Sequence, residues 1–245
     1  MLRKVLYMAL CCLTASLAQA QDRVMVFGDS NSYGWIEDAN GKVSRFAPDI
    51  PWPSVMAKNL GKDVTVITEA LGGRTTEVDR PLGSGSGQIR GVSMNGAGYL
   101  PAALSSHMPL ELVVIMLGTN DMNDTLKRSA QEIAQSLGRL TDIVRKAEWQ
   151  DQTAFPAPKV LIVSPPKMNL TTSPFAARFT GAKAKSDVLA SLVKPVVTAK
   201  GAYFFDAATV VEYAQQPDQI HLTAEQHRKL GEAVAEEVKK ILGSN

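Results

Sequence analysis

Apolar residues in this chain gather in short runs that stop at small or polar residues, and between the runs they recur with helical spacing. The runs are Val24–Phe27, Val64–Ile67, Leu110–Leu117, Val160–Val163 and Ala202–Phe205, each closed by Gly, Asp, Ser, Asn or Pro. Short runs rich in Val and Ile, with no strict alternation of polar and apolar positions, read as strands buried on both faces. Between them, Ser129 and Glu132 form a capping-box signature ahead of Ile133, Leu137, Leu140 and Val144. Thr223 and Gln226 form another ahead of Leu230, Val234 and Val238, with the helix ending near Gly243. A third helix is expected over 175–198, broken or kinked at Pro195. Strands alternating with helices predict an α/β fold: a doubly wound parallel sheet with helices on both faces.

One stretch breaks the pattern. Arg80 to Pro101 carries Gly83, Gly85, Gly87, Gly91, Gly96 and Gly98 without periodicity, and is expected to be a long loop, either a lid over the strand ends or a surface insertion such as an interface arm. It is not read as a phosphate cradle, because no strand leads into Gly85-Ser86-Gly87-Gln88-Ile89-Arg90 and the third glycine of that fingerprint is missing.

The N-terminus alters what the composition means. Arg3 and Lys4 precede an apolar stretch from Val5 to Leu17, and Ala18-Gln19-Ala20 stands before the polar Gln21-Asp22. That order predicts a signal peptide over 1–20, cut after Ala20, and a periplasmic or secreted domain over 21–245. An uncleaved anchor is the alternative; a lipid-attachment signal is disfavoured by Leu10 before Cys11. Arg3 and Lys4 account for the whole excess of 26 Lys and Arg over 24 Asp and Glu. The expected mature domain is therefore formally neutral, with no electrostatic pull toward nucleic acid or an anionic membrane. Both cysteines, Cys11 and Cys12, fall in the leader, so residues 21–245 offer no disulfide, thiolate nucleophile or Cys-ligated zinc.

In open parallel sheets ligands bind beyond the carboxyl ends of the strands. There the chain carries Gly28-Asp29-Ser30-Asn31, Gly72-Gly73-Arg74, Gly118-Thr119-Asn120-Asp121 and Asp218-Gln219-Ile220-His221. Ser30, at a tight strand-to-helix turn, is a candidate nucleophile or a helix N-cap. It does not stand in a Gly-x-Ser-x-Gly elbow, since position 32 is serine. Asp218, three residues before His221, can fold back onto one imidazole nitrogen and leave the other free to take a proton; otherwise the two are a turn former and a loop residue. His227 falls in the C-terminal helix, expected on its surface, and His107 in a loop before Met108-Pro109, neither beside an obvious carboxylate. Asn120 and the backbone N–H groups of Ser30 and Gly73 can donate to a developing oxyanion, or Asn120 and Asp121 simply close a turn. Asp29, Asp121, Asp124, Asp206 and Asp218 could instead gather Mg²⁺ for phosphoryl chemistry, but no P-loop lysine or Asp-x-Asp pair accompanies them.

Taken together, Phe27-Gly28-Asp29-Ser30, the Gly-Gly-Arg-Thr-Thr around Gly73, Leu117-Gly118-Thr119-Asn120-Asp121 and Asp218-x-x-His221 resemble in order and spacing the SGNH (GDSL) hydrolase superfamily. Arg45-Phe46-Ala47-Pro48-Asp49, Ala97-Gly98-Tyr99-Leu100-Pro101, the segment Pro158 to Pro166 and Phe204-Phe205-Asp206-Ala207 resemble its arylesterase-like branch. The resemblance implies a flavodoxin-like five-stranded sheet of order 2-1-3-4-5. It implies Ser30 as nucleophile, His221 as base and Asp218 as its orienter, with an oxyanion hole from Ser30, Gly73 and Asn120. Gly72-Gly73, where many members carry serine or alanine, implies a roomier site.

The activity so implied is a secreted serine esterase that hydrolyses or transfers short acyl groups, chiefly acetyl, through an acyl-enzyme. A polysaccharide deacetylase, a lysophospholipase or thioesterase, and a silent glycan-binding relative are the alternatives. Asn31, Tyr33, Trp35 and Trp52 are the candidates for an acyl or aryl pocket, with core packing the other role for the aromatics. No cofactor or metal is expected. The expected partner is a small-molecule or glycan-borne ester, not nucleic acid or membrane, and relatives of the branch suggest a homo-oligomer.

Overall fold

The computed structural model describes residues 21–38, 40, 42–80, 93–146 and 155–243; the leader over 1–20 and the Gly-rich segment over 81–92 lie outside the described residues. In chain order the elements are β1 (Asp22–Gly28), α1 (Ser30–Tyr33), β2 (Trp35–Glu37), β3 (Val43–Arg45), α2 (Trp52–Leu60), β4 (Val64–Ala70) and α3 (Gly96–His107). There follow β5 (Leu112–Met116), α4 (Ala130–Lys146), β6 (Lys159–Ser164), α5 (Ala182–Thr198), β7 (Tyr203–Asp206) and α6 (Ala224–Gly243).

The main sheet runs β4-β1-β5-β6-β7, all neighbours parallel, which is the order 2-1-3-4-5 when its five strands are counted along the chain. Strand β1 pairs on both sides, Asp22–Gly28 with Val64–Ala70 and Val24–Gly28 with Leu112–Met116, so its C-terminal end is central. Successive side chains leave opposite faces. Met25, Phe27, Val113 and Ile115 pack under Leu100 and Leu104 of α3, Ile133 and Leu137 of α4, and Leu189 and Val193 of α5. Val24, Val26, Leu112 and Val114 pack against Trp52 and Met56 of α2 and Leu230 and Val234 of α6. Covering both faces is what lets these strands be apolar at every position.

Both capping boxes form. Ser129 N–H donates to Glu132 Oε2 at 2.8 Å and Glu132 N–H to Ser129 Oγ at 3.2 Å; the Thr223–Gln226 pair does the same at 3.1 and 3.3 Å. Three expectations change. The helix expected over 175–198 begins only at Ala182 and runs through Pro195 without a break. Before it, the Asp124 carboxylate takes both the N–H (2.7 Å) and the hydroxyl (2.6 Å) of Thr180, holding the chain off helical geometry, with only a 3₁₀ turn over Ala176–Arg178. The end of the Gly-rich stretch is helix α3, capped by Asn95 Oδ1, which accepts from Gly98 N–H at 3.1 Å. Finally, β2 and β3 form a small antiparallel sheet that the apolar runs did not announce, because three-residue strands are too short for a periodicity. Among the described residues no helix is long and apolar enough to cross a membrane.

Candidate active site

The end of β1 turns sharply into α1. A Cβ on Gly28 would lie 2.1 Å from Ser32 Oγ, so only glycine lets the turn close this tightly. Asp29, not Ser30, is the N-cap: its Oδ1 accepts from Asn31 N–H at 2.9 Å. The capping task is thus filled by its neighbour, and the Ser30 hydroxyl is free for another partner.

That partner is 191 residues away. Ser30 Oγ lies 2.9 Å from His221 Nε2, and His221 Nδ1 lies 2.5 Å from Asp218 Oδ2. A carboxylate only accepts, so Nδ1 carries the proton and Nε2 is left to accept from the serine hydroxyl. Asp218 Oδ1 accepts the N–H groups of Ile220 and His221, both at 2.9 Å, which folds the loop back on itself as Gln219 takes a φ of 56°. Burial pushes the Asp218 carboxyl up, but the hydrogen bonds and charge of His221, with the N–H group of Ile220, outweigh it and leave Asp218 below the ordinary carboxylate range.

Asn31 reaches across to the same loop: its Nδ2 donates to Ile220 O at 3.1 Å and its Oδ1 accepts from Leu222 N–H at 3.1 Å. Asn31, next to Ser30, therefore bolts α1 to the histidine loop. Gln216 does the same for β2, its Nε2 donating to Trp35 O (3.1 Å) and Leu222 O (2.6 Å) and its Oε1 accepting from Glu37 N–H (3.3 Å).

Gly73 and Asn120 line the same cleft as Ser30. Gly73 has φ of 83°, which a side chain rarely tolerates. Asn120 Nδ2 is oriented by Arg74 O at 3.1 Å, with Asp29 Oδ2 at 3.5 Å. The next residue points the other way: Asp121, fully buried, accepts from Thr76 N–H (2.9 Å), Thr76 Oγ1 (2.5 Å) and Arg128 Nη1 (3.0 Å). Burial raises its pKa, and these hydrogen bonds and the arginine charge act against that rise. Adjacent positions thus divide between anchoring and facing the cleft. Beneath them, the Arg74 guanidinium lies over the Phe27 ring (4.1 Å) and donates to Gly28 O (2.9 Å) and Glu69 O (2.5 Å), joining the ends of β1 and β4. Burial lowers its pKa to about 10. Burial also lifts Asp29 to about 6, against the pull of the Asn31 N–H and of the His221 and Arg74 charges.

The cleft encloses about 490 Å³, part of it open to solvent, and its walls include Ser30, His221, Gly73, Asn120, Trp35 and Glu37. Of the four pocket candidates only Trp35 lines it, its ring 6.2 Å from the His221 ring and tilted by 29°. Trp52 has no exposed surface and is spent in the core under α6, where its backbone N–H donates to His227 Nδ1 at 3.2 Å. Tyr33 is covered by the Arg45 guanidinium at 4.0 Å. Asn31 is the clamp described above. His227 is buried rather than on the surface, and burial depresses its pKa to about 3, keeping it neutral. His107 does have a carboxylate, Glu69 Oε1 at 2.7 Å from Nε2, on the outer edge of the sheet.

The sequence reading missed Glu37, Asn123, Phe175, Arg178 and Phe179, which also line the cleft. Pro174 and Gly181 bracket the last three and were the available sign that 175–180 is a loop. The five aspartates offered as metal ligands serve separately: Asp29 and Asp206 cap turns, Asp121 pairs with Arg128, Asp124 holds Thr180, and Asp218 holds His221. Among the described residues no three Asp, Glu, His or Cys side chains are grouped so that they could hold a metal ion.

Residues 26–229 match the model of the GDSL-like lipase/acylhydrolase family. Among solved structures, the inhibitor-bound aryl esterase of M. smegmatis is 39% identical with a TM-score of 0.82, covering 90% of this chain and 99% of its own. Est24, a carbohydrate acetylesterase from Sinorhizobium meliloti, is 37% identical with a TM-score of 0.83 over the same shares. No curated protein sequence matches this chain.

Proposed function

This chain belongs to the GDSL-like lipase/acylhydrolase family and is a carboxylic ester hydrolase, and from that premise we propose that it is an exported serine esterase acting on short acyl groups, acetyl above all. The observation that carries the reading is the unbroken relay from Ser30 Oγ to His221 Nε2 (2.9 Å) and from His221 Nδ1 to Asp218 Oδ2 (2.5 Å). In the first half-reaction Ser30 Oγ bonds to the ester carbonyl carbon as its proton passes to His221 Nε2. The carbonyl oxygen becomes an oxyanion facing the N–H groups of Ser30 and Gly73 and the Asn120 amide. As the C–O bond to the alcohol breaks, the imidazolium returns the proton to the leaving oxygen. Water, or a second alcohol in acyl transfer, then attacks the acyl-enzyme with His221 again taking the proton, and Ser30 leaves protonated.

The short-acyl preference is supported by Ser30 being only 6% exposed, at the floor of a cleft walled by Trp35, Phe179 and Ile220. Export is supported by the order of charge, apolar run and Ala18-Gln19-Ala20 at the start of the chain. The test is kcat/KM on p-nitrophenyl acetate, butyrate and octanoate, with Ser30→Ala as the blank. Acetate should be turned over fastest; a preference for octanoate overturns the short-acyl reading.

Asn120→Ala tests the oxyanion role separately. Losing one such donor should lower kcat by about 10²–10³-fold, with KM little changed because the donor acts on charge that develops only in the transition state. A variant with near-normal kcat removes Asn120 from that role.

A further inference from the structure

Two arginines line the catalytic cleft together with Ser30 and His221, and the reaction above gives neither a task. Arg80 Nη1 donates to Gly73 O at 3.1 Å, which ties it to the loop that carries an oxyanion donor. Burial, then the charge of Arg178, pushes the Arg80 pKa below the ordinary arginine range, while Asp121 acts against this. The two cations therefore feel each other, and an anion beside them would relieve the repulsion. The acid on the cleft wall does not supply it. Glu37 is 7% exposed, and burial, then the charge of Asp218, raises its pKa, with His221, a hydrogen bond from Trp35 and the Arg178 charge acting against the rise. Asp121 is already paired with Arg128, and Asp218 with His221. Residues 21–245 balance Lys and Arg against Asp and Glu, so the positive excess is local to the cleft.

Arg178 is placed to receive that anion. Its guanidinium lies over the Phe175 ring at 4.5 Å. Stacking engages the flat face and leaves the N–H edge to donate, and among the described residues that edge has neither a hydrogen-bond partner nor an ion pair. The loop that carries it is fixed relative to the chemistry. Phe175 N–H donates to Ser173 Oγ (3.1 Å), Ser173 Oγ donates to Asp218 O (2.5 Å), and Thr172 N–H donates to Gln219 Oε1 (2.9 Å). Within the loop, Arg178 N–H closes on Phe175 O at 2.8 Å. A guanidinium edge offers parallel N–H groups that match the two oxygens of a carboxylate.

We propose that Arg178 is a specificity-determining residue that pairs with a carboxylate carried by the substrate, with the Arg80 charge adding to the attraction. An acetyl group bears no such charge, so the carboxylate belongs to the alcohol part, and the rings of Phe175 and Phe179 in the same cleft suit an aromatic one. The substrates selected are then acetyl esters of hydroxy acids, phenolic acids above all, over esters of uncharged alcohols. This rests on the esterase reading above and deepens it.

The experiment compares kcat/KM at neutral pH for 4-acetoxybenzoate and 4-acetoxybenzamide, which share acyl group, ring and shape and differ in charge, and repeats it with the 3-acetoxy pair to vary the reach. A carboxamide draws electrons from the phenol more strongly than a carboxylate, so the amide is the more reactive ester and a preference for the carboxylate belongs to the protein. The wild-type protein should favour the carboxylate in at least one pair. Arg178→Gln should cut that ratio by about tenfold or more, the order expected for one charge-assisted hydrogen bond. Arg178→Lys, which keeps the charge without the planar fork, should fall between and serves if the glutamine variant does not fold. A wild-type ratio at or below one in both pairs overturns the proposal. So does a ratio unchanged in both variants, which is what a merely structural role for Arg178 would give. Failure of the wild type to hydrolyse any of these esters or p-nitrophenyl acetate above the Ser30→Ala blank overturns the esterase reading, and the proposal with it.

Discussion

Ser30→Ala is expected to lower kcat for an acetyl ester by about 10⁵-fold or more, the scale seen when a nucleophile acting with its base as one unit is removed. The structure makes this a clean substitution. Ser30 is buried, its side-chain oxygen contacts His221 Nε2, and the cap of α1 is carried by Asp29 instead. Fold and melting temperature should therefore change little, so that lost activity reports chemistry. The same variant should no longer be labelled by an organophosphate, whose phosphorus takes the place of the acyl carbon. Mass spectrometry of the labelled wild type should locate the adduct on Ser30. An adduct on another serine, or hydrolysis persisting in the alanine variant, would show that the nucleophile has been misassigned.

Asp218→Asn should cost about 10⁴-fold in kcat, through the tautomer of His221 rather than through contact with substrate. The two carboxylate oxygens have different duties: Oδ2 takes the imidazole Nδ1 proton, and Oδ1 takes the N–H groups of Ile220 and His221. An amide cannot do both. With its oxygen on the two N–H groups, its NH₂ faces Nδ1 and forces the ring proton onto Nε2, where it blocks acceptance from Ser30. With the amide reversed, its NH₂ meets two backbone donors and the loop loses its hydrogen bonds. Asp218 is absent from the walls of the cleft, so KM should move far less than kcat. Steady-state kinetics on p-nitrophenyl acetate separate the two constants; a loss confined to KM would contradict the orienting role.

The strands and the two capping boxes were legible because each depends on residues close together in sequence. Val24–Phe27 and Val160–Val163 announce buried strands by composition, and Ser129–Glu132 and Thr223–Gln226 close their hydrogen bonds within one turn. Elements failed where a distant group decided them. The start of α5 was misplaced because Asp124, 56 residues from Thr180, takes the hydrogen bonds that would have extended it. Trp52 and His227 were misread for a similar reason: whether a residue on an amphipathic helix meets solvent, cleft or core depends on the partner helix, here α2 against α6.

For the site, the sequence by itself determined which chemical groups stand at the strand ends, since turn residues such as Gly28, Asp29, Asp218 and Gln219 serve local backbone needs visible in the sequence. It could not decide which of them meet. Ser30 and His221 are 191 residues apart, and only the parallel order β4-β1-β5-β6-β7 brings the end of β1 and the loop before α6 to one edge of the sheet. The wall beside the histidine was decided by tertiary structure alone. Glu37 and Trp35 sit on a strand too short to have a period, and it is Gln216, 179 residues from Glu37, that fixes them beside the histidine. Local hydrogen bonds and periodicity are written in neighbouring residues, whereas burial and long-range pairing depend on surfaces that exist only once the chain has folded.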